Sequence, residues 1–380
     1  MIHIGSIFVY LFWVLGSLVV LFLVLLVFGS LYFKWYFSWE LSHRRGLNYY
    51  GRPLEYRRDF RKKIKIHAFF LKPFIWIEAK LRKAKGTYEF ASIKYKEVYG
   101  PSFSCSQKSF RKAADYQPSE RDIFVVTQMR CGTTWMLQLI FQILTKGNGR
   151  FNDSGYVHLC AISPWIESLD NVSTEKAPLI GSSFKKIIKT HLPAGLCPYD
   201  DTAKYIYIIR HPVSCFQSII DYFQLTTGPF VPPVSKVLKW YCSNRMWWLS
   251  WPEHVVGWWE LSQEKNNILF VQFEEMKKDL SGVVERVSRF LEEDLTGLEI
   301  QSILTHSSFQ YMKENEEYFE MIPPNLFSVS GTYFKSGEID RYKNVPDEIR
   351  EKILSFCGQR LKNTSYPVEK FYPDIKTTSY

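Results

Sequence analysis

The stretch DIFVVTQMRCGTTW, residues 122–135, joins a strand-like run to a helix-like run through a single glycine. Residues 122–126 are mostly β-branched or aromatic, as in a buried parallel strand. The residues that follow place Met, Leu and Ile at helical spacing, so the segment predicts a strand, a glycine turn and a helix. Amide groups and the dipole at the start of such a helix favour an anion, and Arg130, Thr133 and Thr134 add a cation and two hydroxyls. The sequence therefore predicts an anion-binding turn.

This turn differs from the ATP-binding P-loop in the residue after its glycine. The pattern G-x-x-x-x-G-K-[ST] requires a lysine that reaches the β- and γ-phosphates, whereas Thr133 follows Gly132 here. An ATPase or an ordinary kinase is therefore disfavoured. A single glycine turn is also compatible with a plain strand-to-helix connection, so the functional interpretation depends on motifs elsewhere in the chain.

Further motifs follow the glycine turn along the chain. They are KTHLP at 189–193, YIYIIRHPVSCFQS at 205–218, WPEHVVGWW at 251–259, FEEMK at 273–277, SSFQYMKEN at 307–315 and FKSGEI at 334–339. Together with the glycine turn they resemble, in order and spacing, the motifs of the cytosolic-type sulfotransferase family, which uses 3′-phosphoadenosine 5′-phosphosulfate (PAPS). The resemblance covers about residues 120–345.

The resemblance implies an α/β fold with a P-loop-like central parallel sheet and helices on both faces. It also implies transfer of a sulfuryl group from PAPS to a hydroxyl or amine of a small acceptor. His191 would be the general base, and Arg130 and Lys189 would stabilise the sulfuryl group. Because protein cations would stabilise this charge, no metal is expected. The residues that the resemblance assigns to PAPS are Arg130, Cys131, Gly132, Thr133, Thr134, Trp135, Arg210, Ser218, Phe273, Ser307, Phe309, Met312, Lys335, Ser336 and Gly337.

The chain departs from the family pattern at several of these positions. Arg130 stands where the family has lysine, Cys131 where it has serine, and Phe273 where it usually has tyrosine. Arginine keeps its charge but does not readily give up a proton, so Arg130 is poorly suited to protonating a leaving group. Ser336 removes one cation expected near the 3′-phosphate. These departures leave open an alternative, a non-catalytic membrane-anchored protein that binds the nucleotide.

Charge is distributed unevenly along the chain. Residues 1–33 contain no Asp, Glu, Lys or Arg, whereas residues 34–96 hold 17 Lys or Arg and 5 Asp or Glu. The apolar run at 4–33 exceeds the roughly 20 residues that span a bilayer, which predicts one retained transmembrane helix. A cleaved signal peptide would need a basic start and a small-residue cleavage site, and a buried soluble helix is seldom so long. Interfacial side chains are predicted at Lys34, Trp35, Tyr36 and Trp39.

The flanking cations and the cysteines bear on the compartment. Cations lie almost entirely on the C-terminal side of the apolar run, so the positive-inside rule places the rest of the chain in the cytoplasm. Seven cysteines without a C-x-x-C pair agree with a reducing compartment. The confinement of positive charge to one segment disfavours nucleic acid as a partner. The alternative is a luminal carbohydrate sulfotransferase, which glycans at Asn152 or Asn171 would reveal.

Residues 54–85 are basic and partly amphipathic. Phe60, Ile64, His67 and Leu71 recur at helical spacing among many cations, and Pro73 is predicted to end or kink this helix. Two interpretations remain open: a helix packed on the main domain with a solvated basic face, or a helix lying on anionic lipid.

The predicted organisation is a transmembrane helix at 4–33, a basic juxtamembrane region at 34–115 and a sulfotransferase domain at 116–375. The anchor favours a lipophilic or membrane-presented alcohol, phenol or amine as acceptor. A dense group of tryptophans predicts core packing, with a wall of the acceptor pocket as the alternative: Trp247, Trp248, Trp251, Trp258 and Trp259.

Overall fold

The computed structural model describes residues 4–44, 48–86, 88, 90–152, 155–169, 172–321, 325–327, 334 and 345–377. Its strands are β1 (Ser92–Tyr95), β2 (Val98–Pro101), β3 (Asp122–Thr127), β4 (Lys186–Thr190), β5 (Lys204–Ile209) and β6 (Ile268–Gln272). Its helices are α1 (Ile4–Arg44), α2 (Leu54–Lys85), α3 (Gln107–Ala114), α4 (Thr133–Leu144), α5 (Leu159–Ile162), α6 (Pro212–Thr227), α7 (Val234–Tyr241), α8 (Trp251–Glu264), α9 (Phe273–Lys278), α10 (Leu280–Phe290), α11 (Gly297–His306), α12 (Phe309–Glu314), α13 (Asp347–Leu361) and α14 (Val368–Phe371). Short 3₁₀ turns lie at Thr174–Lys176, Gly228–Phe230 and Glu316–Tyr318.

A parallel sheet in the order β4-β3-β5-β6 forms the centre of the fold. Strands β1 and β2 form a separate antiparallel hairpin. In the register of the parallel sheet, Val125 of β3 faces Lys189 of β4 and Ile206 of β5. Because all four strands run in the same direction, the residues that follow them meet at one edge, where ligands of open parallel sheets bind.

Alternate residues of β3 enter two separate cores. Phe124 and Val126 pack on one side of the sheet with α6, α7, α8 and α13. Ile123 and Val125 pack on the other side with α4, α10 and α11. The helices therefore cover both faces, which explains why β3 is apolar at almost every position. The predicted fold class is confirmed.

The N-terminal apolar run lies within α1. The part from Val9 to Glu40 is long and apolar enough to cross a membrane, and its apolar window is not buried by the rest of the protein. Of the predicted interfacial residues, Trp35 is exposed, whereas Tyr36 is fully buried. Tyr36 is covered because it packs on His67 of α2, with 5.2 Å between the ring centroids. The C-terminal part of α1 therefore pairs with α2.

Helix α2 has the predicted buried stripe but does not end at its proline. Phe60, Ile64 and Leu71 are buried, as their spacing predicts, and the stripe continues at Ile75 and beyond. Pro73 lies on the exposed side of the helix. The helix continues because its buried stripe stays packed on both sides of Pro73, although proline has no backbone N–H to donate to the preceding turn. Of the two predicted effects of Pro73, an end or a kink of the helix, the end does not occur.

The first basic side chains of α2 bind the main domain. Arg57 is only 2% exposed, and its Nη1 and Nη2 donate to the carbonyl oxygens of Glu317 and Val157. The guanidinium of Arg58 donates to the carboxylate of Glu317 at 2.7 Å. The start of α2 is therefore attached to the segment that follows α12, rather than presenting only a solvated basic face.

Candidate active site

The predicted anion-binding turn lies between β3 and α4. Arg130 and Gly132 have φ angles of 66° and 106°, in the left-handed region. A Cβ atom on Gly132 would lie 2.6 Å from Cδ2 of Phe273, so both the backbone and the space around it require glycine. Thr133 begins α4, and its hydroxyl lies 2.7 Å from the hydroxyl of Thr127 at the end of β3. The turn therefore presents the N-terminus of α4 at the edge of the sheet.

The side chain of Cys131 is directed into the core. Its Sγ lies 3.3 Å from Sγ of Cys215, and the residue is 1% exposed. Burial raises the pKa of the Cys131 thiol well above its usual value. The predicted contact of Cys131 with a nucleotide can therefore involve its backbone but not its thiol.

A cavity opens where β3, β4, β5 and β6 end. The predicted site residue Ser307 lies behind the cavity wall, where its carbonyl oxygen accepts the indole N–H of Trp135 at 2.7 Å. Lys335, Ser336 and Gly337 lie outside the described residues. The predicted site residues that line the cavity are Arg130, Gly132, Thr133, Thr134, Trp135, Lys189, His191, Arg210, Ser218, Phe273, Phe309 and Met312.

His191 follows β4 and lies between two indole rings, with centroid distances of 5.2 Å to Trp165 and 4.8 Å to Trp248. Its Nδ1 is 2.8 Å from the carbonyl oxygen of Thr127, and because a carbonyl only accepts, Nδ1 carries the ring proton. The basic nitrogen is therefore Nε2. Burial and the Lys189 ammonium hold the pKa of His191 well below its usual range, so the ring is neutral at neutral pH.

Glu167 and His254 fix the loop that carries His191. Glu167 was not predicted as a site residue, because it lies in none of the sequence motifs. The buried carboxylate of Glu167 accepts the backbone N–H of His191 at 2.7 Å and the hydroxyl of Thr190 at 3.0 Å. Burial raises the pKa of Glu167. On the other side of the loop, Nε2 of His254 donates to the carbonyl oxygen of His191 at 3.0 Å.

Lys189 is a buried cation beside His191. Its Nζ lies 3.9 Å from the centre of the Trp165 ring, and the residue is 6% exposed. Burial lowers the pKa of Lys189 to about 8. The ammonium is therefore mostly charged at neutral pH and loses its proton in mildly alkaline solution.

Arg210 and Arg130 approach each other across the turn. Nη1 of Arg210 donates to the carbonyl oxygen of Arg130 at 3.3 Å, and Nε of Arg130 donates to Oγ of Ser218 at 3.2 Å. The guanidinium of Arg210 lies 4.3 Å from the centre of the Phe273 ring. Its buried Nε has no hydrogen-bond partner among the residues that the structure describes. A buried guanidinium nitrogen without a protein partner fits an anionic ligand.

Aromatic rings line one end of the cavity. Trp135 and Phe273 meet edge to face, with 5.7 Å between their centroids. Nζ of Lys277 lies 5.5 Å from the Trp135 ring and 5.2 Å from the Phe309 ring. Burial and Arg210 lower the pKa of Lys277. Lys277 was not predicted as a site residue, although the FEEMK motif contains it.

The other end of the cavity is apolar and lies beyond His191. Trp165 and Trp248 pack on His191, and Trp247 packs on Trp248 and Phe103. Met321 also lines the cavity. Phe103, Trp165 and Met321 were not anticipated, because they lie outside or between the motifs. Trp251 and Trp258 are buried in the core, whereas Trp259 is half-buried and packs against it. Their indole N–H groups donate to the backbone carbonyls of Arg210, Leu192 and Ser365, respectively.

Comparison with known proteins assigns the family. Residues 120–365 match the family model for the sulfotransferase domain. The chain belongs to this family. The sulfotransferase is 30% identical over 255 residues to 3-beta-hydroxysteroid sulfotransferase of Cavia porcellus, covering 64% of this chain and 85% of the relative. It is 30% identical over 282 residues to sulfotransferase 2A1 of Macaca fascicularis, covering 71% of this chain and 94% of the relative.

Solved structures share the fold of this sulfotransferase. Mouse sulfotransferase SULT7A1 complexed with PAP has a TM-score of 0.53 at 22% identity, covering 72% of this chain and 94% of its own. Retinol dehydratase in a complex with retinol and PAP has a TM-score of 0.56 at 20% identity, covering 71% of this chain and 89% of its own. Among the described residues of the present chain, no group of three or more His, Cys, Asp or Glu could hold a metal ion.

Proposed function

We propose that this sulfotransferase transfers the sulfuryl group of PAPS to the hydroxyl of a lipophilic acceptor, with His191 as the general base. The observation that carries the proposal is the arrangement of one cavity. It joins the glycine turn, the Nε of Arg210, which has no partner among the described residues, and the basic Nε2 of His191, and it continues into an apolar end.

The nucleotide would occupy the end of the cavity near the turn. The backbone amides at the start of α4 and the hydroxyls of Thr133 and Thr134 face an anion there, and Arg210 with Ser218 supplies further donors. Trp135, Phe273 and Phe309 supply aromatic faces for a base. When bound, PAPS supplies the sulfuryl group and leaves as PAP. The solved neighbours that contain PAP support this choice of nucleotide. Lys335, Ser336 and Gly337 stay a prediction from the motif.

The catalytic roles follow from the state of each side chain. Nε2 of His191 would accept the proton of the acceptor hydroxyl, because the contact with Thr127 keeps the ring proton on Nδ1. Lys189 and Arg130 would stabilise negative charge on the sulfuryl oxygens. Lys189 is suited to this because its ammonium lies in the cavity wall next to His191.

The apolar end of the cavity supports a lipophilic alcohol as acceptor. Phe103, Trp247 and Trp248 offer aromatic surface beyond the basic nitrogen of His191. The names of the relatives agree with this class, since one is a 3-beta-hydroxysteroid sulfotransferase and one structural neighbour contains retinol.

The apolar helix α1 supports a membrane anchor at residues 4–33, followed by a juxtamembrane region at 34–115 and the sulfotransferase domain at 116–375. The cations after the apolar run favour a cytoplasmic position for the domain. Glycan occupancy at Asn152 would contradict this position. The sequon at Asn171 lies outside the described residues.

The test of the function is the transfer of radiolabelled sulfate from PAPS by the full chain in lipid vesicles. The acceptors are a phenol, a 3-hydroxysteroid and a lipid extract, and PAP binding is measured in parallel. We expect transfer that is strongest with the steroid or the lipid extract. PAP binding without transfer to any acceptor would favour the non-catalytic alternative, and no PAP binding would refute the nucleotide site.

Substituting Gly132 with alanine is expected to weaken PAP binding by about 10- to 100-fold. The new Cβ would strain a backbone with φ of 106° and collide with the Phe273 ring. Calorimetric titration with PAP measures the effect. The matched control is Gly195→Ala, because a Cβ atom there meets nothing within 4 Å. Equal affinities of the two variants would contradict the role of the turn.

The pH dependence of kcat/KM is expected to show a plateau near neutral pH. On the acid side the rate falls when His191 is protonated, and this happens well below the usual histidine range because its pKa is lowered. On the alkaline side the rate falls as Lys189 loses its proton around pH 8. In Lys189→Arg the charge persists, so the alkaline fall should disappear. An unchanged alkaline fall in this variant would assign it to another group.

A further inference from the structure

Helix α2 exposes an apolar stripe that the main domain does not cover. The exposed fractions range from 41% for Phe74 to 75% for Phe69. By helical geometry, the centre of this stripe lies roughly 150° around the helix axis from the buried stripe at Leu71 and Ile75. A helix that packs on a soluble domain normally presents polar groups on that side. The exposed stripe consists of Ile66, Phe69, Phe70, Phe74, Ile77 and Leu81.

The pairing of α1 with α2 sets the level of this stripe. Trp39 of α1 packs on Phe60 of α2, with 5.4 Å between the ring centroids. Further along, a Cβ atom on Gly29 would lie 3.6 Å from the ring of Phe74. The two helices are thus antiparallel, and Phe74 lies beside a residue that belongs to the apolar run at 4–33. The stripe therefore lies at the level where α1 enters a bilayer.

The charges on α2 fit the same placement. Lys65, Lys72 and Lys83 lie between the exposed apolar stripe and the buried stripe, on the side away from α1. Nζ of Lys80 lies 3.8 Å from the centre of the exposed Trp76 ring. Lysines beside an apolar stripe, together with an exposed tryptophan, are typical of a helix that lies in the membrane interface. The cations then meet lipid headgroups, while the stripe enters the acyl layer.

The buried side of α2 lies one layer of side chains from the cavity. Leu71 and Ile75 belong to an apolar cluster that also contains Phe230 and Met321. Met321 lines the cavity as well. Its carbonyl oxygen accepts the hydroxyl of Tyr50, just before α2, at 2.8 Å. The membrane-proximal part of the chain is thus joined to the cavity wall at Met321.

We propose that α2 is a second membrane element, inserted at the interface of the same bilayer as α1. The stripe contacts phospholipid acyl chains, and the acceptor passes from the bilayer beside α2 to the cavity at Met321. The acceptor is then an alcohol that dissolves in the membrane. The acceptor route rests on the proposed sulfotransferase function, whereas the placement of α2 does not.

The placement is tested with the wild-type full chain in vesicles of phosphatidylcholine and phosphatidylserine. A phosphatidylcholine with a photoreactive group in its acyl chain is included, and labelled peptides are identified by mass spectrometry. We expect labels within residues 66–81 in addition to α1. Labels confined to α1 would overturn the proposal. Cross-links between copies of the chain at the stripe would overturn it too, because a second copy would then cover the stripe.

The acceptor route is tested with Phe70→Ser combined with Ile77→Ser. We expect transfer to a steroid dissolved in vesicles to fall by about tenfold, because the loss of two apolar contacts weakens membrane insertion. Transfer to a water-soluble phenol should stay the same. The matched control is Leu298→Ser on α11, since Leu298 is 87% exposed and lines no part of the cavity. It should change neither activity.

The outcomes distinguish a failure of the acceptor route from a failure of the proposed sulfotransferase function. An equal fall with both acceptors would overturn the route from the bilayer and indicate damage to the fold. An unchanged activity with both acceptors would overturn it as well. If the wild type transfers sulfate to no acceptor while lipid labels residues 66–81, the proposed function fails and the placement of α2 stands.

Discussion

Replacing His191 with alanine is expected to lower kcat by about 10³-fold and to leave the affinity for PAP unchanged. The side chain supplies a neutral imidazole whose basic Nε2 is fixed by the contact of Nδ1 with Thr127. Alanine cannot accept the proton of the acceptor hydroxyl. PAP binding should persist, because the glycine turn and Arg210 do not depend on the imidazole. Initial rates of sulfate transfer and calorimetric titration with PAP measure the two effects.

The matched control for this variant is His306→Ala. His306 ends α11 and lies outside the cavity lining, where it packs on Tyr311 with 5.1 Å between the rings. Loss of a histidine there should leave kcat unchanged. If His191→Ala instead loses PAP affinity in parallel with kcat, the imidazole has a structural role only. A fall in kcat of less than tenfold would also exclude it as the principal base.

Most of the candidate site could be anticipated from the sequence because it follows the strands. Arg130, His191, Arg210 and Phe273 each come shortly after a parallel strand, and the carboxyl ends of such strands share one edge. The fold class and the site residues were implied by the resemblance of the motifs to the sulfotransferase family, and the shared edge of the parallel strands explains why these side chains meet. The structure adds the contacts between them.

The residues that were missed are brought to the site by long-range contacts that no local pattern encodes. Glu167 lies in an irregular segment, and only the fold shows that its carboxylate holds the backbone of His191. Phe103 comes from the turn after β2, and Met321 follows the 3₁₀ turn Glu316–Tyr318. Neither segment carries a periodic signal that relates it to the cavity. Side chains of this kind follow from tertiary packing rather than from sequence spacing.

The basic juxtamembrane segment shows a second limit of prediction from the sequence. A run of cations usually predicts a solvated face, yet Arg57 is almost fully buried. Its position is explained by two backbone carbonyl oxygens, of Val157 and Glu317, that need donors once α2 covers them. The sequence shows the cation but not the acceptors, because these lie 100 and 260 residues away.

Substituting Arg57 with alanine is expected to lower the free energy of unfolding by about 3 kcal/mol. The change leaves two buried carbonyl oxygens without donors and opens a space where a guanidinium was packed. It should also release the segment from Glu317 to Met321 and so raise KM for the acceptor more than it lowers kcat. Urea unfolding followed by tryptophan fluorescence, in lipid vesicles, measures the stability.

The neighbouring Arg58 provides the control, because it has the same charge and the same helix but a different environment. Its guanidinium donates to the carboxylate of Glu317, and its side chain is 55% exposed. An exposed ion pair contributes little, so Arg58→Ala should unfold at nearly the wild-type urea concentration. Equal losses for the two variants would show that net charge on α2, rather than the buried contacts of Arg57, holds the helix on the domain. A loss only in Arg57→Ala, together with a raised KM for the acceptor, would show that the start of α2 supports the acceptor site of the enzyme.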